Sequence, residues 1–103
     1  MSKNLALKIS PLAKTDLESI FEYIAVDLCN RSAAFDQVAA FKKAFDRICD
    51  FPESYPLVEN EYVKDKNLRK IVVNNYVAFY RVTEDEAVIV RVLYGMRNYQ
   101  SIL

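Results

Sequence analysis

The side chains best suited to chemistry form a basic and aromatic set in the C-terminal part of the chain: Lys64, Lys66, Arg69, Lys70, Arg81, Arg91, Tyr94, Arg97 and Tyr99. An arginine can clamp a phosphate or a developing oxyanion through two parallel hydrogen bonds, and a tyrosine can stack on a base or move a proton. That combination suits RNA cleavage. A purely structural assignment competes with it: Arg81 and Arg91 on a solvated sheet face paired with Glu84 or Glu86, Tyr94 in the core, and Lys64 and Lys66 in solvent. Arg97 has no such explanation. It follows Gly95, the only glycine, by two residues and precedes Asn98-Tyr99, beyond the last apolar run.

Other chemistries lack their residues. There is no histidine, so acid–base work would fall to Lys, Tyr or a carboxylate with a displaced pKa. One glycine nearly excludes a phosphate-cradling loop, and neither a nucleophile elbow nor an HExxH pattern is present. Cys29 and Cys49 lie twenty apart without CxxC spacing. We therefore expect no metal, no cofactor and reduced thiols.

The 103 residues support one domain, 1–103, with a single core; 52% are apolar and 27% charged, the balance of an ordinary globule. The formal charge is zero and points to neither nucleic acid nor membrane. Residues 1–60 hold seven Lys/Arg against nine Asp/Glu, and residues 61–103 seven against five, a slight basic excess in the C-terminal part. The N-terminus lacks the apolar run of a signal peptide and no stretch is long enough to span a bilayer, so a cytoplasmic protein is expected.

Three apolar, β-branched and aromatic runs must position the basic set: Leu68 to Val73, Tyr76 to Val82 and Ala87 to Tyr94. Asn74-Asn75 between the first two tolerates positive φ and predicts a tight hairpin. Glu84-Asp85-Glu86 belongs at a loop tip. In the last run strict alternation predicts Val88, Val90, Val92 and Tyr94 on one face and Ile89, Arg91 and Leu93 on the other.

Upstream, Leu5 to Ile9 predict a first strand, and Ser10-Pro11 a helix N-cap with proline in the first turn. Ala13, Leu17, Ile20, Phe21, Ile24 and Leu28 form one apolar face, with Asp16 assigned to the polar side. A second helix is expected from an N-cap at Ser32, with Asp36 in its first turn and Phe35, Val38, Phe41, Phe45 and Ile48 as its stripe. It ends near Phe51, before Pro52 and Pro56. Tyr55, Leu57 and Tyr62 are expected to anchor the irregular segment that follows. The order β-α-α-β-β-β predicts an α+β fold, a helical hairpin packed on one face of a small antiparallel sheet, with the first strand joining the meander at an edge.

In their order and spacing these pieces resemble the RelE/ParE toxins of bacterial type II toxin–antitoxin modules, and the ParE-like branch more closely. The resemblance is carried by Ala13, Asp16, Leu17, Ile20, Tyr23 and Ile24; by Phe51-Pro52 and Tyr55-Pro56; by Leu68-Arg69; by Asn75-Tyr76-Val77-Ala78-Phe79-Tyr80; and by Arg91-Val92-Leu93-Tyr94-Gly95 with Arg97. It spans nearly the whole chain. It implies a cytoplasmic growth inhibitor of the kind associated with plasmid stabilisation, held in a hetero-oligomer by a cognate antitoxin.

The resemblance also implies one of two targets. RelE-like members are ribosome-dependent mRNA endonucleases, for which Arg97, Arg69, Lys70, Arg81 and Tyr99 would be the catalytic candidates. ParE-like members inhibit DNA gyrase, for which Arg91, Tyr94, Arg97, Asn98 and Tyr99 would form the target-binding surface. Val77 stands where the nuclease branch commonly has arginine, and Leu103 about where it has a terminal tyrosine. Both departures favour the gyrase-directed branch. A third alternative keeps the fold as an inactive module that still binds an antitoxin.

Overall fold

Two helices lie against one face of a four-stranded sheet. In the computed structural model, which describes residues 4–59 and 64–95, the chain runs β1 (Ala6–Ile9), α1 (Pro11–Glu22), α2 (Arg31–Asp50), β2 (Arg69–Val73), β3 (Tyr76–Val82) and β4 (Glu86–Tyr94). The strand order is β1-β4-β3-β2. Strands β2 to β4 form the antiparallel meander that their short connections require. β1 joins the edge of β4 in parallel, so the sheet as a whole is mixed. No tight turn links β1 to β4, and the crossover through the helices leaves their relative sense free.

Local signals place most element boundaries. The Ser10 hydroxyl accepts the Ala13 N–H at 3.0 Å, and Pro11 occupies the first turn. Beyond Glu22 the helix widens into a π-helical turn, Tyr23–Asp27, instead of continuing as α-helix to Leu28. The chain then reverses at Cys29, whose φ is 51°. Asn30, not Ser32, caps α2 by accepting the Ala33 N–H at 3.0 Å, because that reversal lets the helix begin earlier. Asp36 therefore lies beyond the first turn, which contains no acid.

The main core lies between helices and sheet, where Ala13, Phe41, Phe45 and Ile48 meet Ile71, Ala78, Tyr80, Ile89 and Val92. A smaller core on the opposite face joins Phe79 and Leu93 to Val58 and Leu68. The irregular segment reaches it by pairing with β2: the Val58 N–H donates to the Leu68 carbonyl, and the Lys70 N–H to that of Pro56. Leu57, expected as an anchor, is exposed, and its neighbour Val58 is buried instead. Tyr55 packs against the main core as expected, and Tyr62 lies outside the described residues.

Strict alternation along β4 fails at one point. Phe79 pairs with Arg91 and Tyr80 with Ile89, which leaves Val90 as the extra residue of a bulge. Ile89 and Val92, three apart, consequently share the helix-side core, while Val90 and Leu93 pack on the other face. The helical stripe also departs from expectation. Phe35 and Val38 are 58% and 46% exposed, and Val26 is 62% exposed, so the outer face of the hairpin is apolar and uncovered in the monomer.

Candidate functional site

The bulge and the shortness of β1 create the most connected polar cluster. β1 ends opposite Ile89, so the outer edge of β4 from Val90 onward has no strand beside it. α1 covers that edge with side chains. The Ser10 N–H donates to the Ile89 carbonyl at 3.0 Å and the Ser10 hydroxyl to that of Val90 at 2.8 Å. One Asp16 carboxylate oxygen accepts the Val92 N–H at 3.0 Å and the Arg91 Nε–H at 2.8 Å, and the other accepts from Arg91 Nη2 at 2.9 Å. Both side chains are mostly sequestered, at 18% and 12% exposure. Donating these hydrogen bonds to Asp16 raises the Arg91 pKa further, against the opposing effect of burial.

Arg91 is therefore paired with Asp16 and not with Glu84 or Glu86. Its charge assigns Asp16 to the polar side of α1, yet it falls between Ala13 and Ile20 at core-facing spacing. That position was the available signal. A carboxylate inside an apolar stripe needs a partner across the interface.

Among the described residues, Arg69, Lys70 and Arg81 are divided between the two faces of the sheet. Arg69 donates to the carbonyls of Tyr55 at 2.7 Å and Glu53 at 3.4 Å, fastening the irregular segment to β2. Arg81 is exposed and pairs with Asp65 at 3.6 Å, again not with Glu84 or Glu86. Lys70 lies opposite Phe79, so alternation sends Lys70 and Arg81 to the sheet face opposite Arg69. Lys64 and Lys66 are exposed. Arg97, Asn98 and Tyr99 lie outside the described residues.

The phenol beside Arg69 is also committed. Tyr80, the cross-strand partner of Arg69, is fully buried and donates its hydroxyl to the Pro52 carbonyl at 2.7 Å. Burial pushes its pKa up to about 12, with Arg69 pulling the other way. A proton held that tightly does not exchange with substrate near neutrality. The folded state keeps the proton that an unfolded tyrosine loses near pH 10. Stability should thus be intact below pH 10 and fall by about 1.4 kcal/mol per pH unit as the pH rises toward 12. Urea unfolding across this range should show the fall in the native chain, and Tyr80→Phe should lessen it by removing this proton.

Tyr94, which the purely structural assignment puts in the core, is 47% exposed. It borders a cleft of about 500 Å³ between the end of α1 and the far ends of β3 and β4, shared with Asp16, Ser19, Ile20, Tyr23 and Tyr76. The Tyr76 and Tyr94 rings stand 6.0 Å apart at 79°. Next to them Gly95 donates its N–H to the Asn75 carbonyl at 2.8 Å. A Cβ at Gly95 would meet that oxygen at 3.3 Å, so glycine suits the close approach.

Among the described residues, no group of three or more His, Cys, Asp or Glu is placed to hold a metal ion, and no helix is long and apolar enough to cross a membrane. Cys29 is exposed and Cys49 buried, both as free thiols.

A family model described as the ParE toxin of the type II toxin–antitoxin system parDE matches residues 7–99. No curated protein sequence matches the chain significantly. Among solved structures, the chromosomal ParDE toxin–antitoxin system from P. aeruginosa superposes with a TM-score of 0.72 at 21% identity, covering 90% of this chain and 98% of that one. The toxin–antitoxin complex RelBE2 from Mycobacterium tuberculosis gives 0.62 at 17% identity, with 88% and 98% covered. A conserved hypothetical protein from Helicobacter pylori gives 0.54 at 14%, with 87% and 93% covered.

Proposed function

The chain belongs to the family of ParE toxins of type II toxin–antitoxin systems, and from that premise we propose that it acts by binding, with DNA gyrase as its target and Tyr94 and the segment Arg97 to Tyr99 as the contact surface. The observation that carries this reading is the engagement of the arginines. Arg69 holds two loop carbonyls, Arg81 an acid of the irregular segment and Arg91 the buried Asp16, so these three do not surround a common empty point. A nuclease must aim several cationic groups at one phosphate and supply a proton carrier. The phenol of Tyr80, the cross-strand partner of Arg69, is bound to Pro52 instead.

In the ribosome-dependent nuclease alternative, Lys70 and Arg81 would be the pair best placed to act together, since alternation puts them on one sheet face. The test is induction without antitoxin. Growth should stop while mRNA stays uncut in a ribosome-containing extract. Cleavage of ribosome-bound mRNA that depends on Arg97 would overturn the gyrase reading.

The antitoxin is the second partner of this proposal. The exposed apolar residues Val26, Phe35 and Val38 on the helical hairpin and Val72 on the outer strand give it apolar surface to cover. Val38→Lys should weaken capture by the antitoxin by about tenfold, the effect of a single interface side chain. It should change folding stability by no more than about 0.5 kcal/mol, as at other surface positions. Calorimetric titration beside a thermal melt separates the two effects.

A further inference from the structure

The tyrosine cleft at the end of the sheet has a chemistry of its own. Its walls are Tyr23, Tyr76 and Tyr94, with Ile20 and Ser19 contributed by α1. Tyr76 and Tyr94 meet nearly at right angles, and Phe41 packs edge-on behind Tyr76 at 5.7 Å, which fixes one wall against the core. Tyr23 and Tyr94 are about half exposed, so the opening is accessible from solvent. Burial and the two neighbouring tyrosines push the Tyr76 pKa up, which keeps that ring neutral at ordinary pH.

The charges around the cleft narrow the choice of occupant. Among the described residues, no lysine or arginine lines it, so an anion would find no cationic donor among them. The one formal charge among its described lining residues is the Asp16 carboxylate, whose oxygens already hold Arg91 and the Val92 N–H. What remains is electron-rich ring faces and phenol oxygens, which attract cations. Perpendicular rings do not sandwich a flat base, but they can enclose a compact positive head group. We propose that this cleft receives the alkylammonium group of a lysine side chain from a partner protein, held by cation–π contact with Tyr23, Tyr76 and Tyr94. The proposal does not depend on which target the toxin poisons.

The experiment is NMR titration of the purified full chain, labelled at its tyrosine rings. The probes are N-acetyl-lysine methylamide and its neutral counterpart carrying an acetylated ε-amine. The lysine probe should shift the Tyr23, Tyr76 and Tyr94 rings together and saturably in the millimolar range. The neutral probe should bind about tenfold more weakly, as expected for loss of a partly desolvated cation–π contact. Tyr94→Leu, at a half-exposed position, should keep the fold and weaken the lysine probe by a similar factor. Equal binding of the two probes would show an apolar slot and overturn the proposal. So would lysine shifts that leave these three rings unmoved, or a folded Tyr94→Leu chain with unchanged affinity.

Discussion

Replacing Asp16 by alanine should lower folding stability by about 3 kcal/mol, within the cost of breaking a sequestered ion pair from one side. The substitution strands three donors at once: the Val92 N–H and two guanidinium N–H groups of Arg91. Arg91 would keep its charge in a site where it is 18% exposed, with Asp16 no longer opposite. For a chain of this size the loss corresponds to a melting temperature lower by roughly 12–20 °C. Asp16→Asn should cost less, because an amide oxygen can still accept the Val92 N–H. Arg91→Met should also cost on the order of 3 kcal/mol, because it leaves the Asp16 carboxylate, 12% exposed, without its cation. Thermal and urea unfolding of the three variants would measure this. A loss below about 1 kcal/mol for Asp16→Ala would mean that the pair behaves as an ordinary surface salt bridge.

Arg97→Ala should raise the concentration needed for half-inhibition of gyrase about tenfold, or about 1.4 kcal/mol, the loss of one well-placed arginine from a binding surface. The chain should remain folded and retain weakened inhibition. In a nuclease the same substitution would remove a transition-state contact and cost at least about a hundredfold in rate. Arg69→Ala provides the complementary case. It releases the carbonyls of Tyr55 and Glu53 and should lower stability, yet inhibition per folded molecule should be unchanged. Dose–response curves normalised to the folded fraction would separate the two arginines. Equal loss of activity from both would place Arg69 in the functional surface.

Much of the architecture was legible because local rules and the global fold agree. The Ser10-Pro11 start, the end of α2 before Pro52 and the turn at Asn74, whose φ is 56°, are each dictated by the residues present. The departures share a cause: they depend on contacts between distant segments. The Val90 bulge reverses the facing of the end of β4, and no pattern within β4 marks it. Asp16 and Arg91 are 75 residues apart, and only the open edge of β4 brings them together. Phe35 and Val38 carry core periodicity on a face that the monomer leaves uncovered, so periodicity alone could not separate core from interface. At the candidate site, the sequence indicated which residue types were available. Arg69, Arg81 and Arg91 are sorted into structural contacts by carbonyls and acids that composition cannot pair.

The central claim is that the toxin acts on gyrase as a binding inhibitor. The most direct measurement is a DNA supercoiling assay with purified gyrase and the purified full chain, scored for both loss of supercoiling and accumulation of cleaved DNA. The account predicts that supercoiling falls with toxin concentration while cleaved DNA accumulates, and that Arg97→Ala shifts both responses to higher concentration together. Unimpeded supercoiling by gyrase, in the presence of a folded chain that still arrests growth, would contradict it.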